Sequence, residues 1–242
     1  MVKGLLISSG GMSQRIYEQD IIANNLANVN TAGFKKSGGF LKNLIDSKLS
    51  LEVRNDKGDF RGKNSYSFAD FSNGEIISTG NPLDIAISGK GFLSITTEDG
   101  EAFTRNGNLK LNSNGVLVDT SGNPVNGQGG EIVINGDKII VSPIGDIIVD
   151  GEIVDTLKIV DFENPNELSN IGENLYKNIN NLPQTPPEDY TIMQGYLEGS
   201  NVNSVKSMVD MIAIHRNYDT NSRVMTTTDE SLRKLVNEVG KY

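Results

Sequence analysis

Few residues in this chain have the types and spacing that a catalytic or metal site needs. His215 is the only histidine, and cysteine is absent. A zinc site of the usual kind needs several His or Cys ligands, and a Ser-His-Asp site needs a histidine beside a nucleophile. No Gly-x-Ser-x-Gly turn precedes a helical pattern. We therefore predict no catalytic residues and no metal site, and we expect His215 to lie at a surface or an interface.

Two glycine-rich stretches and one acidic stretch match ligand-binding loops only in part. Gly89-Lys90-Gly91 follows Asp84 where a Walker motif needs Gly, and its last residue stands where that motif needs Ser or Thr. Gly127–Gly130 lacks the third glycine of a dinucleotide-binding fingerprint. Asp161–Asn166 lacks the glycine of an EF-hand loop. We interpret all three as turns and predict no cofactor, while a pair of carboxylates that are distant in sequence remains open.

The charge of the chain excludes one class of partner. Thirty-one acidic residues against 22 basic ones give a net charge of −9, whereas nucleic-acid binding requires a basic surface. The negative charge favours solubility. The apolar run near the N-terminus, Leu5-Leu6-Ile7, is too short for a secretory signal, and no stretch is long enough to span a bilayer. We expect no membrane insertion, and export, if it occurs, without a cleaved signal of the usual kind.

The last part of the chain has the clearest helical periodicity. Its apolar residues recur every seven positions, at Met211, Tyr218, Met225, Leu232 and Val239. Neighbouring rows of the same apolar stripe are expected to contain Val205, Met208, Ile212 and Val236. Asn201 and Asn203 are candidate N-caps, and Gly240 can end the helix. A helix over Val202–Val239 would be roughly 55 Å long, so its apolar stripe must pack on another helix or another subunit.

The first 34 residues supply a partner helix. Leu5, Met12, Ile16, Ile22, Leu26 and Val29 have helical spacing. We expect this helix to end around Asn28 to Asn30, because Asn and Gly continue a helix poorly, and we expect Gly33 to adopt a positive φ. Two ordinary amphipathic helices packed on one globular core are the alternative to a coiled-coil-like pair.

Between the helices the pattern changes twice. Residues 35–75 contain scattered lysines among polar residues and predict an extended connector. From about residue 76 to 196, short β runs such as Glu131–Ile134 alternate with hairpin turns such as Asp150-Gly151. The predicted fold class is therefore α+β, with long terminal helices paired in a coiled-coil-like unit and an inserted all-β, sandwich- or barrel-like domain. The predicted boundaries are 1–34, 35–75, 76–196 and 197–242.

Four segments resemble the flagellar basal-body rod and hook proteins. Asn24–Lys35 is similar to the family signature, in which Asn-Leu-Ala-Asn precedes a small polar stretch and then Gly-Phe or Gly-Tyr. Thr79–Phe92, Phe103–Gly107 and Gln194–Val202 resemble further family patterns, in the same order. The resemblance covers most of the chain except residues 35–75. Arg105–Leu109 and Gly127–Gly130 favour the proximal-rod (F) type, while the Gly80–Asp84 pattern is shared with the distal-rod (G) type.

The resemblance implies a structural role. It implies a rod subunit that polymerises through its terminal helices, with a β domain outside, to form the drive shaft between motor and hook. It also implies export through the flagellar type III apparatus, assembly with itself and other rod and hook proteins, and a basal-body location outside the cytoplasmic membrane. The candidate assembly residues are Asn24, Asn25, Leu26, Asn28, Gly33, Phe34, Met211, Tyr218, Met225 and Leu232. The asparagines either stop the helix or fix the register between subunits.

Two alternatives remain open. The chain could be a hook protein or another axial flagellar subunit. A different class would be a secreted oligomeric protein whose β domain binds or hydrolyses carbohydrate. The absence of Trp argues against a face for stacking sugars.

Overall fold

The computed structural model describes residues 2–41 and 65–239. It divides into two compact units. The helical unit comprises the described parts of Met1–Ala27, Ser37–Phe68 and Asn203–Tyr242, and the β unit comprises Asn28–Lys36 and Ala69–Val202. These boundaries differ from the predicted ones, because Asn28–Lys36 is hydrogen-bonded into the β unit. Most of the predicted connector, 42–64, lies outside the described residues.

The helical unit contains two helices and a strand pair. Helix α1 is Val2–Ala27 and helix α2 is Ser204–Val239. Strands β1, Ser37–Leu41, and β2, Ser65–Ala69, pair with each other. Helix α1 packs against both α2 and β1. The two helices predicted from periodicity are therefore present and in contact, while a coiled-coil geometry between them stays a prediction.

The start of α2 follows from a cap. The Asn203 side-chain oxygen accepts the Lys206 N–H at 2.9 Å, and its carbonyl accepts the Ser207 N–H at 2.9 Å. These bonds satisfy N–H groups that have no partner within the helix. Asn203, one of the two predicted caps, is confirmed.

The β unit is built from short strands. In chain order they are β3 Ile76–Ser78, β4 Ile85–Gly89, β5 Phe92–Thr97, β6 Gly100–Thr104, β7 Lys110–Leu111, β8 Leu117–Val118, β9 Ile139–Val141, β10 Asp146–Val149, β11 Glu152–Thr156, β12 Ile159–Val160, β13 Ser169–Gly172, β14 Leu175–Lys177, β15 Tyr190–Gln194 and β16 Tyr196–Glu198. One 3₁₀ turn, Pro165–Glu167, also lies in this unit. The all-β prediction for this region is confirmed. The predicted strand Glu131–Ile134 forms isolated bridges instead.

The strands form one larger sheet and several small ones. The five-stranded sheet has the order β12-β5-β6-β14-β13, and a three-stranded sheet has the order β11-β10-β9. The pairs β15-β4, β16-β3 and β7-β8 complete the unit, and every pairing within it is antiparallel. Pairing of β15 and β16 with β4 and β3 joins the end of the β unit to its beginning, so the unit is closed by contacts between distant residues.

Local turn chemistry explains one hairpin directly. Val149 pairs with Glu152, so Asp150-Gly151 is a two-residue loop between β10 and β11. Both residues have positive φ, 52° and 96°. A type I′ turn requires this of both central residues, and Asp-Gly adopts it readily. The predicted turn is confirmed.

Two apolar clusters form the interior of the β unit. The larger is aliphatic and includes residues from β4 to β15, with Ile85, Leu93, Ile95 and Ile147 almost fully buried. The second is aromatic and consists of Phe92, Phe103, Val160, Phe162, Leu168 and Tyr176. Edge-to-face ring contacts such as Phe103 with Phe162, at 4.9 Å between centroids, stabilise it. Burial of these clusters is the main term that holds the short strands together.

Candidate assembly surfaces

Asn25 connects the last turn of α1 to the chain that follows. Its side-chain nitrogen donates to the Ser37 carbonyl at 2.7 Å, and its side-chain oxygen accepts the Ser37 N–H at 2.8 Å. Asn25 is 2% exposed. A buried amide that satisfies both backbone groups of one residue replaces the bonds that a neighbouring strand would make. Asn25 therefore fixes β1 against α1 within its own chain.

The other asparagines of the motif have different surroundings. Asn24 is exposed, while Leu26 and Asn28 are half-buried. The Asn28 side-chain oxygen accepts the Thr31 hydroxyl at 3.1 Å, and its carbonyl accepts the Thr31 N–H. Helix α1 ends at Ala27, one residue before the predicted range of Asn28 to Asn30. A role for these residues between subunits stays a prediction.

Gly33 and Phe34 begin the segment that enters the β unit. Gly33 has a φ of 69°, as predicted. Its N–H donates to the Glu198 carbonyl at 2.7 Å, and a Cβ on it would lie 2.4 Å from the Asn106 nitrogen. Both the positive φ and the close approach require glycine. Phe34 is buried.

A buried group of three charges follows directly, and we call Lys35, Arg105 and Glu198 the charge cluster. The Lys35 ammonium donates to Glu198 Oε1 at 2.7 Å and to the Ser72 carbonyl at 2.8 Å. Arg105 Nη1 lies 3.6 Å from Glu198 Oε2. The side chains of Lys35 and Glu198 are each 1% exposed, and that of Arg105 is 4% exposed. One carboxylate thus lies between two cations in a site closed to water.

The surroundings of the charge cluster satisfy most of its polar atoms. Arg105 donates to the carbonyls of Ile87 at 3.2 Å and Gly89 at 2.8 Å, and its guanidinium lies 5.3 Å from the Phe92 ring centre. Arg105 Nε and Glu198 Oε2 have no hydrogen-bond partner among the described residues. Burial lowers the pKa of both Lys35 and Arg105, and the Glu198 carboxylate opposes that shift.

Asn201 holds the neighbouring backbone of the β unit. Its side-chain oxygen accepts the Lys36 N–H at 2.7 Å. Its side-chain nitrogen donates to the carbonyls of Asp70 at 2.7 Å and Ser72 at 3.1 Å. Asn201 was the other candidate helix cap, but it lies in the loop before α2. There its side chain bonds to the backbone of Lys36, Asp70 and Ser72.

The predicted heptad residues of α2 lie on one face. Met211, Tyr218 and Met225 are half-buried. Their spacing of seven keeps them within one sector of the helix. The side chain of Leu232 lies outside the described residues. These positions belong to the side of α2 that is partly covered.

A second apolar stripe on α2 is exposed, and we call Val205, Met208, Val209 and Ile212 the exposed stripe. Their exposed fractions are 70%, 50%, 59% and 55%. At 100° per residue the centre of the exposed stripe lies roughly 130° around the helix from the centre of Met211, Tyr218 and Met225, and Met208 is the member nearest to Met211. Val205, Met208 and Ile212, which were predicted on rows neighbouring that of Met211, are thus more exposed than Met211 itself. Spacings of three and four permit two stripes, and sequence alone does not indicate which one faces α1.

The three residues of the charge cluster lie in segments that resemble the family, but the sequence did not predict them as a site. Lys35 ends the first family motif, Arg105 lies within Phe103–Gly107, and Glu198 lies within Gln194–Val202. The available signal was that each of these three segments contains a single charged residue. Nothing local indicated that three residues up to 163 positions apart would meet.

His215 lies on a helix surface, and Gly89-Lys90-Gly91 forms a turn. His215 is exposed on α2, 3.3 Å from Asp219 one turn later. The Gly89 carbonyl is used by Arg105, and the Lys90 N–H donates to Asp189, so this loop is a turn. Within 2–41 and 65–239, no group of three metal-ligating side chains comes together. No helix in that part of the chain is long and apolar enough to cross a membrane.

Three family models match the chain in sequence order. One described as flagella basal body rod protein matches residues 5–35. One described as the flagellar hook protein FlgE/F/G D1 domain matches 86–154. One described as the flagellar basal body rod FlgEFG protein C-terminal matches 193–238. The first and last contain the two helices, and the middle one lies within the β unit.

Similar proteins match over almost the whole chain. The flagellar basal-body rod protein FlgG of Buchnera aphidicola is 36% identical, across 97% of this chain and 99% of its own length. FlgG of Bacillus subtilis is 34% identical, across 98% and 99%. FlgF of Caulobacter vibrioides is 32% identical, across 93% and 92%. The chain belongs to the flagellar basal-body rod proteins, as a structural subunit of the F or G type and not an enzyme.

Proposed function

We propose that the chain polymerises through its terminal helices to form part of the drive shaft between the flagellar motor and the hook. The observation that carries this proposal is the exposed stripe on α2, whose four side chains are half or more exposed. Full burial of such side chains contributes about 1.5–3 kcal/mol each. A stripe of this kind on one side of a helix is typical of a surface that another protein covers.

A second copy of the chain, or a related rod or hook subunit, is the proposed occupant of the exposed stripe. An interface in which one surface binds a different surface of the next copy repeats without closing and gives a filament. Such growth needs apolar area on the outside of the helices, in addition to the area between them. The net charge of −9 keeps single subunits soluble before they assemble.

The candidate assembly residues divide by their environment. Asn25, Gly33 and Phe34 are buried within the chain, so we propose that they shape the subunit. Asn24 is exposed and Leu26, Asn28, Met211, Tyr218 and Met225 are half-buried, and we propose that these contact neighbours or complete the helix pair. Leu232 stays in the set on its sequence spacing alone.

We also propose the finer points of location. Export through the flagellar type III apparatus would place the rod subunit outside the cytoplasmic membrane. The resemblance of Asn24–Lys35 to the family signature supports this route.

Substitution of Ile212 by Asp tests polymerisation through the exposed stripe. Ile212 is 55% exposed, so the purified variant should keep its circular dichroism spectrum and its unfolding midpoint. In cells that lack the natural gene, it should fail to enter the rod and should not restore swimming. Met208→Asp should behave alike, and Asn217→Asp, at an exposed position away from the stripe, should restore swimming. Normal rods built from both Ile212→Asp and Met208→Asp would overturn the proposal.

A further inference from the structure

The charge cluster has an unequal balance of charge. Lys35 and Arg105 are cations and Glu198 is the one anion among the three. All three side chains are at most 4% exposed, so water cannot compensate a missing partner. Loss of one member of a buried, hydrogen-bonded charge group is costly because the remaining charge stays in a medium of low dielectric constant.

Each member of the charge cluster comes from a different part of the chain. Lys35 follows α1, Arg105 follows β6, and Glu198 ends β16. Main-chain bonds tie these parts together, since the Glu198 carbonyl accepts the Gly33 N–H and its Oε1 accepts the Gly74 N–H at 2.9 Å. Arg105 extends the network to the carbonyls of Ile87 and Gly89 in β4.

We propose that the charge cluster is a closure device, which lets the β unit reach its native packing only when the segments around Lys35 and Glu198 are both in place. Without Glu198, closure of the unit would bury two cations near each other with no anion in direct ion-pair contact. Without the segment 33–36, the carboxylate of Glu198 would lose its shortest ion pair. A chain in which either segment is missing or not yet positioned therefore keeps β4 to β6 and β16 from closing on one another.

This device goes beyond the proposed polymerisation and does not depend on it. Glu198 lies at the end of the β unit, shortly before α2 begins. The β unit can therefore fold fully only when the chain is present up to that point. The β unit therefore becomes ordered only after the segments at both of its ends are present and in position. Neither the strand pairings nor the apolar clusters impose that requirement on Lys35, which belongs to no strand.

Charge variants of the full-length chain test the inference. Glu198→Gln should lower the folding equilibrium constant of the β unit by about 100-fold or more, because it leaves two buried cations. Lys35→Met should cost less, since Glu198 and Arg105 still face each other at 3.6 Å. The double variant Lys35→Met/Glu198→Gln should be more stable than Glu198→Gln alone, because it removes one of the uncompensated cations. Lys36→Met, the same change one residue along, is the matched control and should alter the unfolding midpoint little.

Hydrogen exchange separates a closure device from a local ion pair. In Lys35→Met, amides of β4, β5 and β6 should lose protection together with those of residues 33–36. The inference is overturned if the loss is confined to residues 33–36 and 72–74. It is equally overturned if the double variant is as unstable as the sum of the two single changes, since the cations would then not act through Glu198.

Discussion

Gly33 lies against the backbone of Asn106 so closely that a Cβ on it would be 2.4 Å from the Asn106 nitrogen. Real Cβ atoms do not approach a backbone atom to that distance, and the backbone of Asn106 cannot rotate away as a side chain can. Gly33 therefore serves two purposes. It adopts a φ of 69° after α1, and it allows the chain to pack closely against the backbone of Arg105 and Asn106.

Substitution of Gly33 by Ala should destabilise the β unit by more than a positive φ alone explains. The conformation costs about 1–2 kcal/mol in a residue with a Cβ, and the forced backbone shift should add roughly 1–3 kcal/mol. Gly80 is a matched control, because its φ is 71° and a Cβ there would meet nothing within 4 Å. Urea unfolding of both variants measures the difference. Equal losses for Gly33→Ala and Gly80→Ala would contradict the packing role of Gly33.

Substitution of Asn25 by Ala should release β1 from α1. The change removes both bonds to Ser37 and leaves a partly buried N–H and carbonyl without those partners, at a cost of about 1–3 kcal/mol. The exchange rate of the Ser37 amide should rise, and the unfolding midpoint should fall. Asn217→Ala, at an exposed position on α2, is the control and should lose little. An unchanged Ser37 exchange rate in Asn25→Ala would argue against the clamp.

Tyr176 should make the β unit sensitive to alkaline pH. Burial in the aromatic cluster raises the pKa of Tyr176 from 10.0 to about 12. The folded state thus holds the phenol proton more tightly than the unfolded state, so the associated stability is full below pH 10 and is lost as pH rises through about 12. A shift of this size corresponds to roughly 2–3 kcal/mol. The free energy of unfolding should fall between pH 9 and 12 in the natural protein, and this fall should be smaller in Tyr176→Phe. Identical pH profiles for the two proteins would refute the prediction.

The parts of the fold that sequence could predict are those decided by neighbours in the chain. Helical spacing indicates α1 and α2, Asn203 caps α2 through a residue three positions away, and Asp150-Gly151 makes its turn from its own φ values. The parts that sequence missed depend on distant residues. Lys35 and Glu198 are 163 positions apart, and the pairing of β16 with β3 joins distant residues such as Leu197 and Ile77. No local pattern encodes such contacts.

Which apolar residues of α2 are covered could not be predicted from the sequence, for a different reason. Val205, Met208 and Ile212 have the same apolar character as Met211 and similar spacing, so both stripes satisfy the helical pattern. In the folded chain Met211, Tyr218 and Met225 are partly covered, whereas Val205, Met208 and Ile212 are exposed. Under the proposed polymerisation, the exposed stripe is the surface that a neighbouring subunit would cover.

Electron microscopy of hook–basal bodies after in-frame deletion of the gene tests the rod assignment most directly. The account predicts cells that do not swim and basal bodies with a truncated rod, and the point of truncation would distinguish the proximal F type from the distal G type. Complementation with the natural gene should restore the full rod, while Ile212→Asp should leave it truncated. Complete, rotating flagella in the deletion strain would contradict the account.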